Sequence, residues 1–436
     1  MMTILGVVAC SKSKPQPGGA AAPTLSAKEA PTQGGPAPTV PQKPMPNIAV
    51  ADYTSFQQQR NTAAIAMYRE LAKGGPGNFV YSPLSLSTAF AMAYAGASGP
   101  TKVEIGSALH FKQPDALLHA GFEYWMRELA ARGVDARGAD GSAFRLSVAN
   151  GLFAARDLEI KQPFHDDVEQ HYGGGFETVP YATDPKVSRY KINAWVDENT
   201  GGKIKDLVPE NLVTPETRLM LVNAVYLSAA WHKPFEPRLS EAGVFHAPGG
   251  DQTATYMKKL DELRVGKVAG ASIVELPFDA KTGLSLMLVL PAIGTLPAVE
   301  AKLNEATWSQ WSAALKPTLI NLHLPRFKLD GETLGLKPVF EALGVRTAFV
   351  AGRANFSELA TEPLFVGEVA HRAVIEVAEA GVTAAAATAM VALAGGPPSA
   401  APELLRFDRP FLFAVRDIGS GAILFMGRLA VPPAAK

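Results

Sequence analysis

The sequence predicts an α+β fold, and three observations carry that prediction. Helical apolar spacing crowds into the first third of the chain, strand-like patterns fill the remainder, and there is neither a regular βα alternation nor an internal repeat. The helical part opens with Thr54 to Lys73, where Ala64, Tyr68 and Leu71 recur at helical spacing and Gly74, Gly75 and Pro76 stop the run. A second helix is expected after Pro83. Leu146, Val148, Asn150 and Leu152 alternate with the period of a strand, as do Leu284, Leu286, Leu288 and Leu290, and Ile320, Leu322 and Leu324. Residues 218–231, RLMLVNAVYLSAAW, are apolar without alternation, the pattern of a strand covered on both faces.

The chain has 436 residues and is 47% apolar, enough for a large core in one domain with a tail. Its 41 Lys and Arg balance 41 Asp and Glu, so no net field favours nucleic acid, a polyanion or an anionic membrane surface. From Ser11 to about Asn47 the residues are mostly Pro, Ala, Gly, Ser, Thr, Gln and Lys, with almost no large apolar side chain. Such a segment buries too little to offset its ordering entropy and reads as an extended tether. The expected organisation is therefore a short segment 1–10, a tether 11–47 and one folded domain 48–436.

Cys10 is the only cysteine, which excludes an intrachain disulfide and any cluster of thiolates. The opening residues MMTILGVVAC set a short apolar run and the small Ala9 directly before it, and so resemble a bacterial lipoprotein signal, although no Lys or Arg precedes the run. That resemblance implies export, cleavage before Cys10 and a lipid on Cys10 that holds the protein at the cell envelope or cell surface. No later stretch supplies the 18 or more apolar residues of a membrane helix.

Catalytic patterns are lacking. Gly96-Ala97-Ser98-Gly99-Pro100 comes nearest to a nucleophile elbow but ends in proline, and it lacks the Lys-Ser/Thr ending of a phosphate-binding loop. No Gly-x-Gly-x-x-Gly opens a helix. The eight histidines contain no His-Glu-x-x-His, and His165, Asp166 and His171 read as a solvated helix face. No metal or cofactor is expected, and the chain is not read as an enzyme.

A series of motifs then recurs in one order. Asn78 to Leu86 (NFVYSPLSL), Gly96 to Thr101 with Glu104-Ile105, Asn150-Gly151-Leu152-Phe153, and Ile192 to Val196 with Thr200 and Gly202-Lys203-Ile204 come first. Leu221 to Tyr226 with Trp231 and Phe235 follows, then Leu324 to Phe327, Leu343-Gly344-Val345 with Phe349, and His371-Arg372-Ala373. Glu379-Ala380-Gly381, Arg409-Pro410-Phe411 and Phe425 to Arg428 close it. Together they resemble the serpins over about residues 48–432.

The resemblance implies three β-sheets, eight or nine helices and an exposed reactive loop, here about residues 379–403, that a target endopeptidase cleaves. The cleaved loop then enters the largest sheet as a new strand and carries the acylated protease with it. The implied partner is a serine, and by extension a cysteine, endopeptidase, and the inhibitor acts as a monomer. Glu379, Gly381, Val382, Thr383, Ala384, Ala385, Ala386 and Ala387 resemble the hinge, although Val382 stands where the family usually has Thr or Ser. Ser82, Ser85, Asn223 and His371 resemble the polar cluster beneath the centre of the sheet, and Trp231 the aromatic at its top. Read alone, each is a satisfied polar group or a core aromatic.

Residues 381–394 contain no charge and no proline, as a strand buried on both faces requires. At about 3.3 Å per residue they would span roughly 45 Å. Alanine also favours helix, so Thr383 to Ala394 alone would be read as one. The scissile bond is expected within Leu393, Ala394 and Gly395. Counting back from Pro410 reaches as far as Ser399, but Leu393 offers a protease pocket the larger apolar side chain. No Lys or Arg lies between Gly381 and Glu403, which points to elastase-, subtilisin- or chymotrypsin-like targets. The rival expectation is a serpin-fold binding or chaperone-like protein whose loop is merely cleaved.

Overall fold

A computed structural model describes residues 43–133, 144–173, 175–382 and 402–433. The folded unit begins at Met45. Its helices are α1 (Val50–Ala72), α2 (Pro83–Gly96), α3 (Gly99–Ala108), α4 (Asp115–Gly133), α5 (Gln162–Tyr172), α6 (Pro185–Asn199), α7 (Leu296–Lys302), α8 (Glu305–Ala313) and α9 (Lys337–Ala342). The strands run β1 (Phe79–Tyr81), β2 (Arg145–Ala155), β3 (Phe176–Val179), β4 (Leu219–Ala230), β5 (Glu241–Ala247), β6 (Gly250–Val268), β7 (Ala271–Pro277) and β8 (Leu284–Pro291). They continue as β9 (Lys316–Pro325), β10 (Phe327–Asp330), β11 (Leu334–Gly335), β12 (Val366–Val377), β13 (Gly381–Val382), β14 (Glu403–Arg406), β15 (Phe411–Asp417) and β16 (Ile423–Leu429).

Helix α1 starts four residues before the expected Thr54. The Thr54 hydroxyl donates to Val50 O inside the first turn, so it bonds back into the helix instead of capping it. Helix α2 starts where expected: Pro83 occupies the first turn, and Ser82 caps it by accepting the Ser85 N–H at 3.2 Å. Almost every residue of α2 is buried, so this helix lies inside the protein and not across its surface.

Among the described residues the strands form two hydrogen-bonded sheets rather than three separate ones. The 19-residue β6 joins what would be two, pairing with β5 through its first half, β7 through its last residues and β9 along the middle. The other sheet has the order β10-β12-β13-β4-β2-β3 and contains the site. Its central strand β4 is buried along nearly its whole length, as its mostly apolar, non-alternating sequence requires.

Two neighbours of β4 matter most. β12 runs parallel to it, with His371 opposite Asn223 and Val374 opposite Tyr226. β2 runs antiparallel on the other side, with Asn150 opposite Asn223. Helix α2 packs behind β2, β4 and β16, so a polar residue facing inward from these strands meets its N-terminal turn.

Candidate functional site

At the upper end of the sheet, β12 and β4 no longer touch each other. Past Val374 and Tyr226 they are separated by Gly381 and Val382, which turn back through residues 378–381. Val382 pairs with Val377 of β12 on one side and Ala229 of β4 on the other, both antiparallel. The start of the candidate loop therefore already stands as a strand in the middle of the sheet. Val382 is fully buried. Opposed residues share a face, and Ala229 lies three alternations from Asn223, so the Val382 side chain points to the inner, α2 side.

Gly381 is required by close approach. A Cβ there, at φ +157, would lie 2.3 Å from Ala229 O and 2.5 Å from Ala230 Cα. Only a residue without a side chain lets the chain pass that close to β4.

Several contacts fasten this entrance. The Trp231 indole N–H donates to Ala378 O at 2.8 Å, and its ring stacks on Phe278 with centroids 5.0 Å apart. The backbone N–H groups of Trp231 and Phe235 donate to Ala380 O and Glu379 O at 3.1 and 2.8 Å. The Glu379 carboxylate accepts from Ser240 Oγ at 2.7 Å and from Arg326 Nη2. Burial by itself raises this carboxyl, but the bonds from Arg326 and Ser240 outweigh it and hold the group below its ordinary value.

Deeper in the sheet, Ser82, Ser85, Asn223 and His371 come together, all fully buried. Ser85 Oγ donates to Asn150 Oδ1 at 2.6 Å, and Asn223 Nδ2 donates to the same oxygen. Asn223 Oδ1 bonds His371 Nδ1, and His371 Nε2 accepts the Ser82 N–H at 3.1 Å. The Ser85 N–H to Ser82 Oγ bond closes a ring, which Ser82 Oγ ties to Leu424 O of β16 at 2.7 Å. A backbone N–H can only donate, so Nε2 carries no proton and Nδ1–H is the donor to Asn223. Burial drives the His371 imidazole down to about 3, which keeps it neutral in this ring.

Asn150 is the member that sequence reasoning missed. In the sequence it is one position of an alternating strand and the first residue of the motif Asn150-Gly151-Leu152-Phe153, with no sign of a place in the polar cluster. The available signal was an amide among the inward-facing leucine and valine side chains of β2, since a buried amide needs partners.

Thr383, Ala384, Ala385, Ala386 and Ala387, the window Leu393 to Gly395, and Cys10 lie outside the described residues. The reading of α5 as a solvated face needs correction at one residue. His171 is only 14% exposed, because its Nδ1 lies 3.0 Å from Glu123 Oε2 of α4 and its ring stacks on His119. His165, 49% exposed, does face solvent.

The sequence model of the serpin (serine protease inhibitor) family matches residues 58–432. The chain belongs to the serpin family. An uncharacterized serpin-like protein of Thermococcus kodakarensis is 32% identical over 374 residues, covering 85% of this chain and 84% of that protein. Serpin B6 of Pongo abelii is 31% identical over 386 residues, covering 86% and 99%. Serpin48 of the insect Tenebrio molitor, described as a highly specific serpin, superposes with TM-score 0.76 at 28% identity, covering 88% of this chain and all (100%) of that one. Uncleaved ovalbumin gives TM-score 0.76 at 25% identity, with 86% and 100% covered. The family's general activity is protease inhibition, not catalysis. In this serpin β12 and β4 pair directly with each other below the entrance, and the Asn223–His371 side-chain bond crosses between them there.

Proposed function

We propose that this serpin is a suicide-substrate inhibitor of extracytoplasmic serine endopeptidases, and by extension of cysteine endopeptidases, that traps them by inserting residues 383–392 between β12 and β4. The observation that carries the reading is the register of Val382. Each further loop residue in that register meets the preceding residue of both β4 and β12. Thr383 then falls between Ser228 and Glu376, Thr388 between Asn223 and His371, and Ala392 beside Leu219, the first residue of β4.

This register supports a scissile bond near Leu393, Ala394 and Gly395, because the slot ends there. A protease acylated at that position would travel the full length of the sheet. The composition fits the slot as well: the inward-facing positions would be Ala384, Ala386, Thr388, Met390 and Ala392, with a single large side chain among them. Loop sequence directs the choice of target to elastase-, subtilisin- or chymotrypsin-like enzymes. The short apolar run before Cys10 supports export and lipid anchoring. Among the described residues no helix is long and apolar enough to cross a membrane.

Incubation with a panel of elastase-, subtilisin-, chymotrypsin- and trypsin-like proteases tests the proposal. The expected result is a denaturant-resistant complex with one of the first three, a new N-terminus in the window, and a clipped inhibitor that melts well above the intact one. The intact form is held short of full insertion by a kinetic barrier. A clipped chain with an unchanged melting temperature and no complex would favour a serpin-fold binding protein instead.

A further inference from the structure

The N-terminal helices contain a buried positive charge with no acidic partner among the described residues. Arg60 of α1 is 2% exposed. Its Nη2 donates to His110 O at 2.7 Å, from a turn in which His110 takes a left-handed φ of 54. Its Nε–H and Nη1–H have no partner among the described residues. The guanidinium is surrounded by aromatic faces, with its carbon 4.5, 5.2 and 5.6 Å from the ring centroids of Phe111, Phe56 and Phe122. Burial lowers its pKa to about 9, still leaving it charged at neutral pH.

The carboxylates of the facing helix α4 are all engaged elsewhere. Asp115 holds Lys102 and Tyr94, Glu123 holds Arg127 and His171, and Glu128 holds Arg132 and Tyr53. The nearby Tyr172 hydroxyl bonds His119 at 2.6 Å and is raised by desolvation well above its ordinary pKa, so it supplies no negative charge. Further unpartnered donors flank the same region. The Trp125 indole N–H has no partner among the described residues, and its ring packs 6.0 Å from Phe56; neither the Nε2 nor the Oε1 of Gln113, two residues before α4, has one. Aromatic faces attract a cation but do not neutralise it, and a buried guanidinium without a counter-charge is strongly disfavoured. Water would satisfy the N–H groups without compensating the charge.

We propose that Arg60 holds one small inorganic anion of the halide class between α1 and α4, on its free Nε–H and Nη1–H. The route in is the cavity of about 470 Å³ lined by Tyr94, Lys102, Val103, His110, Phe111 and Lys112. His110 and Phe111 form its wall on the Arg60 side, and Lys112 adds positive potential at its rim. The site stands apart from the loop and the parting strands, so it does not depend on the inhibitory reading.

The test uses the full chain. Crystals soaked in bromide should show an anomalous peak within hydrogen-bond reach of Arg60 Nε or Nη1. At constant ionic strength, replacing a bulky organic anion by chloride should raise the Tm of the parent saturably, and Arg60→Met should abolish that dependence. A water molecule in place of the bromide peak, or an equal chloride response in parent and variant, overturns the proposal. If Arg60→Met does not fold, the diffraction result on the parent decides alone.

Discussion

Replacing Val382 by Arg probes the entrance directly, because the structure gives its side chain nowhere to go. Val382 faces inward between Val377 and Ala229, fully buried on the side of α2. The substitution forfeits about 1.5 to 3 kcal/mol of apolar burial and adds several kcal/mol for an unpaired charge. Against this, β13 contributes only Gly381 and Val382 to the sheet, with net hydrogen-bond gains of about 0.5 to 1.5 kcal/mol each. The penalty exceeds the gain. Residues 381–382 should therefore leave the sheet in the intact protein, allowing Val377 to close on Ala229. After cleavage the same Arg must enter first. A penalty of about 4 kcal/mol felt in that step slows insertion roughly a thousandfold, at 1.36 kcal/mol per factor of ten, so deacylation wins. The assay is the ratio of denaturant-resistant complex to clipped inhibitor, together with amide exchange at 228–230. Cleavage should persist, complex should vanish, and exchange there should change. Trapping by Val382→Arg at the parental ratio would refute insertion through this entrance.

Further expectations concern other parts of the chain. Insertion must break the Asn223–His371 bond, and the register brings the Thr388 hydroxyl to that level on the same face, so Thr388→Val should shrink the rise in Tm on cleavage. An undiminished rise would put the register in error. His371 and His119 are held neutral in the fold, with pKa values of about 3 and about 4, mainly by burial, whereas in the unfolded chain they protonate near 6.5. Their contribution is therefore complete above about pH 6.5 and is lost as pH falls towards 3, at about 1.4 kcal/mol per unit for each group. His371→Gln should flatten the fall in Tm between pH 6.5 and 4, and parallel curves for parent and variant would contradict this account. Cys10→Ser should move the protein from the membrane fraction to the soluble fraction of its native host; equal solubility of the two forms removes the lipid anchor from the proposal.

Much was determined by the sequence alone, because local pattern and side-chain size suffice for it. The mostly apolar, non-alternating run at 218–231 reads as a strand covered on both faces, and Ser82-Pro83 carries its own helix start. The absence of charge and proline from Gly381 to Ala394 is what a strand buried on both faces requires. The motif order linked Ser82, Ser85, Asn223 and His371, which lie up to 289 residues apart in the chain yet share one hydrogen-bonded ring. Other features needed the tertiary structure. Whether Val382 stood outside the sheet or in it depends on which strands flank it, and Val377 and Ala229 come from distant segments. Asn150 is an ordinary member of an alternating strand until α2 sets Ser85 against it. His171, on a helix that reads as polar, is covered only because α4 brings Glu123 and His119 to it. Arg60 lies in a polar stretch, QQQRN, and nothing local shows that it is buried. Its isolation follows from where α4 and the turn at His110 place Phe122 and Phe111 over it, beside Phe56 of its own helix, since burial of a charge depends on what the rest of the chain packs over it.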